Sequence, residues 1–366
     1  MPLDILHNLV SPTSKRIEIP APPGPACGPG EFVFAATALE HSHIYGMSQE
    51  LCHAGATLKW VYDRDPQKQD KLLALHPGAR LARSLDEILD DDEVRLVAAA
   101  DVPAQRGDLG IRVMNAGKDY FTDKTPFTTF EQLTKAREAV LATGRKFLVS
   151  YSERLNSESA ILAGLLIEQG LIGQVLNVVG LGPHRLGNPA SRPDWFYQKA
   201  RSGGILCDIG SHQCEQFLSF TRAKTATVNF ARVANFAHPD YPEFEDFGEA
   251  SITAENGASF FFRVDWFTPD GLRTWGDGRT VILGTEGTIE LRKNIDIATE
   301  NGGEQLYVFD HHQETHINAR GTVGLPFYPA LIRDCLHRTE TAMTQEHAFK
   351  AAELCLQLQA TADAAR

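Results

Sequence analysis

From Phe32 to Asp123 the chain alternates short apolar runs with stretches of helical periodicity, and no other feature constrains its fold as strongly. FVFAAT leads into a helical segment through Ile44 to His53, and TLKWVYD into one through Leu72 to Leu75. A short run near Ala79 to Ala82 precedes a helix around Leu85 to Leu89, RLVAAA precedes one from about Gln105 to Ala116, and DYFTD closes the series. Strands separated each time by a helix are joined by crossovers, which predicts a parallel, doubly wound sheet. Its ligand is then expected outside the carboxyl ends of the strands, as for a nucleotide.

After a helix through Leu133 to Leu141 the pattern changes. The strand KFLVSYSER leads out of the first unit near Ser150, a helix from about Ser157 to Gln169 follows, and from VLNVVGLG onward one or two helices give way to consecutive strands. That succession predicts a mainly antiparallel open sheet with helices on one face. The fold class is therefore α/β plus α+β, with a dinucleotide-type domain over residues 31–150 and a second domain over 151–366 whose terminal helices pack back as structure. The 366 residues, 43% of them hydrophobic, suffice for two cores. Residues 1–30 end in IPAPPGPACGPG, whose prolines and glycines continue neither helix nor central strand; they read as an arm or linker that crosses to a neighbouring subunit or stays a tail.

Charge excludes several partners. A formal net charge of −12 with no Lys/Arg cluster repels phosphate backbones and anionic membrane surfaces, so neither nucleic acid nor membrane is an expected partner. Six scattered cysteines without a C-x-x-C read as reduced thiols of a cytoplasmic protein. The opening MPLDILHNLV lacks a basic n-region, and no apolar run is long enough to span a bilayer.

The stretch SGGILCDIGSHQCEQF, Ser202 to Phe217, carries the chemistry. Asp208 and His212 stand four residues apart, which on a helix brings their Cβ atoms to about 5–6 Å on one face. A carboxylate beside an imidazole of ordinary pKa about 6.5 orients the ring and favours its charged form, which suits removal of a hydroxyl proton. The alternative is a helix N-cap at Asp208 and a core histidine.

A second stretch, Thr122 to Pro126 (TDKTP), falls where a parallel strand should end. Together with the later G-G-x-x-x-D-x-x-x-H it resembles the Gfo/Idh/MocA family of nicotinamide-dependent sugar and polyol dehydrogenases, whose usual tripeptide is Glu-Lys-Pro; here Asp123 replaces the Glu and Thr125 precedes the proline. The resemblance implies a Rossmann-type nucleotide domain and assigns Lys124, Asp208 and His212 to catalysis. Asp63, at the end of the second strand, would bind ribose hydroxyls and favour NAD, while Arg64 keeps NADP open. Pro103 would lie under the nicotinamide side, with Lys124 near it. The first turn, AATALEHSHIYG, has no glycine before Gly46, so the phosphate would rely on Thr37, the amides of the helix start and the side chains of His41 and His43. Tyr151 and Arg154 match family positions near the active site, with a structural bridge between domains as the other reading.

The loop from Pro183 to Ala200 suits a carbohydrate: Trp195 and Phe196 can stack on a ring, and His184, Arg185, Arg192 and Asp194 can bond hydroxyls or an acidic substituent. His311, His312 and His316 read as an exposed strand edge, so no metal is expected. In the family the second sheet's free face forms a homodimer or homotetramer; Val228, Phe230, Val264 and Trp266 alternate as that face requires, or equally point to the helices. The expected activity is hydride transfer between NAD(P) and a secondary alcohol of a sugar, inositol or sugar acid. Two alternatives stay open: an NAD-retaining glycoside hydrolase or lyase working by transient oxidation and elimination, and a cofactor-free sugar-binding or regulatory protein.

Overall fold

The computed structural model describes residues 17–299 and 302–365. The first part of the expected arm, 1–16, therefore lies outside the described residues. The first domain runs β1 (Val33–Thr37), α1 (His43–His53), β2 (Thr57–Tyr62), α2 (Pro66–Leu75), β3 (Arg80–Leu81), α3 (Leu85–Leu89), β4 (Val94–Ala99), α4 (Pro103–Asn115), β5 (Asp119–Asp123), α5 (Phe130–Thr143) and β6 (Phe147–Ser150). Its six strands lie in the order β3-β2-β1-β4-β5-β6, and every pairing is parallel. Both faces of β5 are covered, which is why it reads as a continuous buried run and not as an alternation. Side-chain caps start three of these helices: Asp65 for α2, Ser84 for α3 and Thr129 for α5. Strand order reverses between β1 and β4, and that reversal opens the crevice for a ligand.

The second domain comprises α6 (Ser152–Leu155), α7 (Glu158–Glu168), β7 (Val175–Pro183), α8 (Lys199–Ser202), α9 (Ile205–Asp208), α10 (Gly210–Thr221), β8 (Ala226–Ala234), β9 (Phe247–Ala254), β10 (Ser259–Asp265), β11 (Arg279–Gly284), β12 (Gly287–Arg292), β13 (Gln305–Asp310), β14 (Glu314–Asn318), α11 (Phe327–His337) and α12 (Gln345–Ala364). Among the described residues its eight strands follow the order β14-β13-β12-β11-β7-β10-β9-β8, and only β7 and β10 run parallel. The inner face packs under α10, where Phe217 stacks on Phe260 with ring centroids 4.9 Å apart. On the outer face Phe261, Val179 and Val281 form one row in register across three strands, 40%, 36% and 39% exposed. Of the residues expected on that face, Phe230 does point outward, but Val264 and Trp266 are buried, Trp266 against His184 and Phe196. A register shift between Val228 and Phe230 breaks the period-two count there.

Helix α12 ties the domains together: Gln345 Oε1 accepts from the Phe147 amide at 2.8 Å, and Arg137 of α5 pairs with Glu346 and lies over the Phe349 ring. The described part of the N-terminal arm packs along its own chain. Glu18 and Gln169 exchange two 2.7 Å hydrogen bonds, Pro22 abuts Gly324, and the Ala26 amide donates to Ala54 O at 2.8 Å. Among the described residues no helix is long and apolar enough to cross a membrane.

Candidate active site

At the carboxyl ends of β1 and β2, a cleft of about 460 Å³ is lined by Thr37, Ala38, Tyr62, Asp63, Arg64 and Asp101 among others. The glycine-free turn closes here by other means. Ala38 itself adopts the left-handed conformation, with φ 50°, that a glycine would take without strain. The Asp63 carboxylate accepts the Leu39 amide at 2.5 Å and the Asp65 amide at 2.8 Å, so it holds the turn from the end of β2. Each of its oxygens accepts one amide and has a second lone pair available to a ribose hydroxyl. Glu40, whose charge would oppose a phosphate, is paired with Lys68 at 2.9 Å. These groups fit the adenosine half of a dinucleotide.

His41 and His43 turn away from that cleft toward β5. His43 Nδ1 lies 2.8 Å from Asp123 Oδ1, His41 Nδ1 lies 3.3 Å from Asp123 Oδ2, and Arg106 reaches the same carboxylate at 3.2 Å. Burial would raise the Asp123 pKa, but His43 and Arg106 outweigh it and hold the group well below the carboxylate range. Burial holds the His41 ring well below its ordinary value. The donor atoms of His41, His43 and Asp123 lie within 4.8 Å of one another, a spacing a metal ion can use. The Arg106 guanidinium already supplies the countercharge, which disfavours a divalent cation there.

Arg106, to which the sequence assigned no role, positions the neighbouring lysine. It donates through Nε to Asp101 O at 2.7 Å and through a terminal nitrogen to the Lys124 and Thr125 carbonyls, about a cis Lys124–Thr125 peptide. Lys124 thereby enters the interdomain cleft, where its Nζ meets Asp208 Oδ1 at 2.5 Å. On the opposite side Gly203 and Gly204, with φ 89° and 85°, lead the chain into α9; a Cβ on Gly204 would lie 2.5 Å from Gln359 Oε1. Burial opposes ionisation of Asp208, but the Lys124 ammonium lowers its pKa to about 2.

Asp208 and His212 do not form the expected hydrogen-bonded dyad. Ile209 keeps helical dihedrals at the α9–α10 junction, φ −73° and ψ −37°, and the His212 amide bonds Ile209 O at 3.2 Å, yet the two side chains take different partners. Asp208 goes to Lys124, and His212 lines a cavity of about 500 Å³ with His43, Glu153, His184, Trp275 and Lys293. Burial lowers the His212 ring to about 3 and the His184 ring to about 4, so both are neutral bases at pH 7. Trp275 leans on His184 with ring centroids 4.5 Å apart and remains half exposed at the cavity edge, an apolar platform beside polar groups.

Lys124, Asp208, His41, Pro103, Trp195 and Phe196 thus share one side of the interdomain cleft, with His43, His184 and His212 around the adjoining cavity and Thr37, Asp63 and Arg64 in the nucleotide crevice. Other expected residues lie elsewhere. Tyr151 is fully buried and donates to Ala348 O at 2.9 Å, while Arg154 binds Glu215 through Nε at 2.8 Å; both are engaged within the second domain instead of facing the cleft. Arg185 donates to Pro269 O at 2.9 Å and so braces the loop that carries Trp275. Arg192 lies over the Phe196 and Trp266 rings, and Asp194 is exposed. His316 bonds Gln305 at 2.8 Å and His311 lies 3.7 Å from Glu286, each engaged on its own. Sequence reasoning missed Glu153, Trp275 and Lys293. Only Glu153 had a local signal, its place beside Arg154 at the domain exit.

Two family profiles match the chain, one described as an oxidoreductase family with an NAD-binding Rossmann fold over residues 37–151 and one as a GFO/IDH/MocA C-terminal domain over residues 163–290. A solved structure from Erwinia carotovora atroseptica, described as an oxidoreductase without a stated substrate, is 48% identical with a TM-score of 0.88, covering 91% of this chain and 99% of that one. Inositol 2-dehydrogenase 2 of Saccharopolyspora erythraea is 25% identical over 253 residues, 68% of this chain and 70% of its own. A levoglucosan dehydrogenase solved with NADH and levoglucosan has a TM-score of 0.74 at 17% identity, over 92% of this chain and 98% of that one, a likeness of fold. The chain belongs to the Gfo/Idh/MocA oxidoreductase family, and its first domain is that family's NAD-binding Rossmann domain.

Proposed function

We propose that the protein transfers a hydride between NAD(H) and a secondary alcohol of a sugar, inositol or related polyol in the cleft between its domains. The observation that carries this reading is the convergence of Lys124, delivered by the nucleotide domain, with Asp208 and the neutral His212 of the second domain. Bound NAD would supply the hydride acceptor. The chain's own residues supply the rest. Lys124 donates a hydrogen bond to the substrate oxygen and stabilises its developing negative charge, while Asp208 fixes the ammonium. The neutral His212 ring accepts the hydroxyl proton. Trp195, Phe196 and Trp275 offer ring faces to an apolar sugar face. Asp63 favours NAD over NADP, because its carboxylate would repel a 2′-phosphate.

The half-exposed row of Phe261, Val179 and Val281 on the open sheet supports assembly as a homodimer or homotetramer through that face. Light scattering at micromolar concentration should give a multiple of the 40.3 kDa chain mass, and a monomer refutes this part. For the activity, a thermal-shift screen of neutral polyols and sugars in the presence of NAD, followed by absorbance of NADH, is the test. NADH formation with a free polyol is expected. Absence of NAD and NADP binding at millimolar concentration by titration calorimetry overturns the reading.

A further inference from the structure

The carboxylate–imidazole pair that spacing suggested for Asp208 and His212 exists between two other residues of the cleft. His43 Nδ1 lies 2.8 Å from Oδ1 of the fully buried Asp123, 80 residues away in the chain. Asp123 is ionised, and an ionised carboxylate only accepts, so the proton of this bond sits on Nδ1 and leaves a lone pair on Nε2. Among the described residues that Nε2 has no hydrogen-bond partner, and the ring, 36% exposed, lines the cavity of about 500 Å³.

The pair is held from behind. Asp123 Oδ2 takes the Arg106 guanidinium at 3.2 Å, and the same guanidinium holds the Lys124 carbonyl, so His43 and Lys124 are braced by one group at the carboxyl end of β5. His41 has no such fixed state: its Nδ1 lies 3.3 Å from both the His43 amide, which donates, and Asp123 Oδ2, which accepts. Of the other rings lining the cavity, His184 Nδ1 faces the Gly182 carbonyl at 3.2 Å, and His212 Nδ1 has no partner.

Nothing else in the described lining welcomes an anion. Besides the neutral His184 and His212 rings, its charged residues are Glu153, Glu304 and Lys293. The Lys293 ammonium is already engaged by Glu153 Oε2 at 2.7 Å and Gln216 Oε1 at 3.1 Å, and Lys124 across the cleft by Asp208. Two carboxylates against one ammonium, with a fixed imidazole lone pair, make the lining rich in acceptors. Hydroxyl donors suit it, whereas a ligand carboxylate would meet lone pairs and no unengaged countercharge.

We propose, resting on the hydride-transfer reading above, that His43 is a specificity-determining residue: its Nε2 accepts a hydrogen bond from a substrate hydroxyl, so the site takes a neutral sugar or polyol and rejects the corresponding sugar acid. A hydroxyl can donate to the lone pair; an ionised carboxyl group cannot. A pocket built to hydrogen-bond a hydroxyl discriminates well because the wrong ligand leaves a polar group of the site unpaired. Asp123 acts through the ring and is a positioning residue. No proton moves to His43 in this role; the hydride and the hydroxyl proton follow the route given above.

The test combines the His43 tautomer at pH 7, read by ¹⁵N NMR with the signal assigned by loss in His43→Phe, with affinities for matched pairs: D-glucose against D-glucuronate and D-galactose against D-galacturonate. The native ring is expected as Nδ1–H, its Nε2 signal should move with the neutral sugars, and each acid should bind at least about tenfold more weakly than its partner. In Asp123→Asn the Arg106 guanidinium, which can only donate, keeps the amide oxygen and leaves the amide nitrogen for His43. The ring should then switch to Nε2–H, and the preference within each pair should shrink by about tenfold. His43→Phe removes the acceptor without removing a charge, so it should weaken the neutral sugars several-fold and leave the acids unchanged; it decides the matter if Asp123→Asn fails to fold. A native ring in the Nε2–H form, an Nε2 signal unmoved by both neutral sugars, or an acid bound as tightly as its partner overturns the proposal. The titrations are run with and without NAD, so failure of NAD to bind sinks the hydride-transfer reading while the pairwise preference still decides this one.

Discussion

The nucleotide crevice and the cavity across the domain interface are built in opposite ways. The crevice is held by short-range contacts, such as Asp63 on the Leu39 amide, 24 residues apart in the chain. The cavity depends on paired charges brought from far away: Lys124 with Asp208 at a separation of 84 residues, and Lys293 with Glu153 at 140. Strand ends alone shape the first, so it keeps its form without a single glycine in the turn. The second has no such tolerance. Each of its ions is buried or half-buried and matched, and loss of one leaves its partner without a countercharge.

The largest expected effect falls where the two regions meet. Arg106→Met leaves Asp123 without its guanidinium and frees the Asp101, Lys124 and Thr125 carbonyls, so unfolding free energy should drop by about 3–5 kcal/mol in a denaturant titration. A loss under about 1 kcal/mol would show that the junction relaxes around the missing cation. Next come the reactive groups. Lys124→Met and His212→Ala should each lower kcat by on the order of 100-fold or more with NAD affinity little changed, because they touch the cavity and not the crevice. If NAD affinity falls equally, the two regions are not separable as described.

An acid titration sharpens the comparison further. The folded pKa values of His212 and His184, about 3 and about 4, lie below the ordinary value of about 6.5, so the unfolded chain binds protons first. Their contribution is complete above about pH 6.5 and is lost as pH falls toward the folded values, at up to about 1.4 kcal/mol per ring per pH unit. Asp208 adds a loss of the same sign only from about pH 4 down to about 2. Stability measured between pH 6.5 and 4 should therefore fall steeply in the native protein and less steeply in His212→Gln. Equal slopes refute the buried, neutral ring. The smallest effect belongs to the crevice: Ala38→Gly relieves a left-handed alanine but loosens the unfolded chain, for a net gain of roughly 0.5 kcal/mol in thermal melts. A loss of more than about 1 kcal/mol would mean that the methyl group packs in the turn.

The first domain was legible because its signals are local. Apolar runs and helical periods between Phe32 and Asp123 dictate strand and helix, and crossover connections leave little choice of topology. Lys124 was legible for the same reason, since it ends a strand whose carboxyl end must face the ligand. The Asp208–His212 spacing misled, because a count of four residues says nothing of a third group, and Lys124, arriving from the other domain, takes the Asp208 carboxylate. Tyr151 and Arg154 misled because position at a domain exit does not say which way a side chain points.

By itself the sequence determined the alternation, the order of the domains and the residue types available for proton transfer, since each follows from periodicity or from motifs read along the chain. The tertiary structure alone decided which charges meet: Arg106 with Asp123, Lys124 with Asp208, Lys293 with Glu153. The physical reason is range. Backbone preference and hydrophobic period act over a few residues, whereas a buried ion takes the partner that chain packing brings within about 3–4 Å, and no spacing in the sequence encodes that distance.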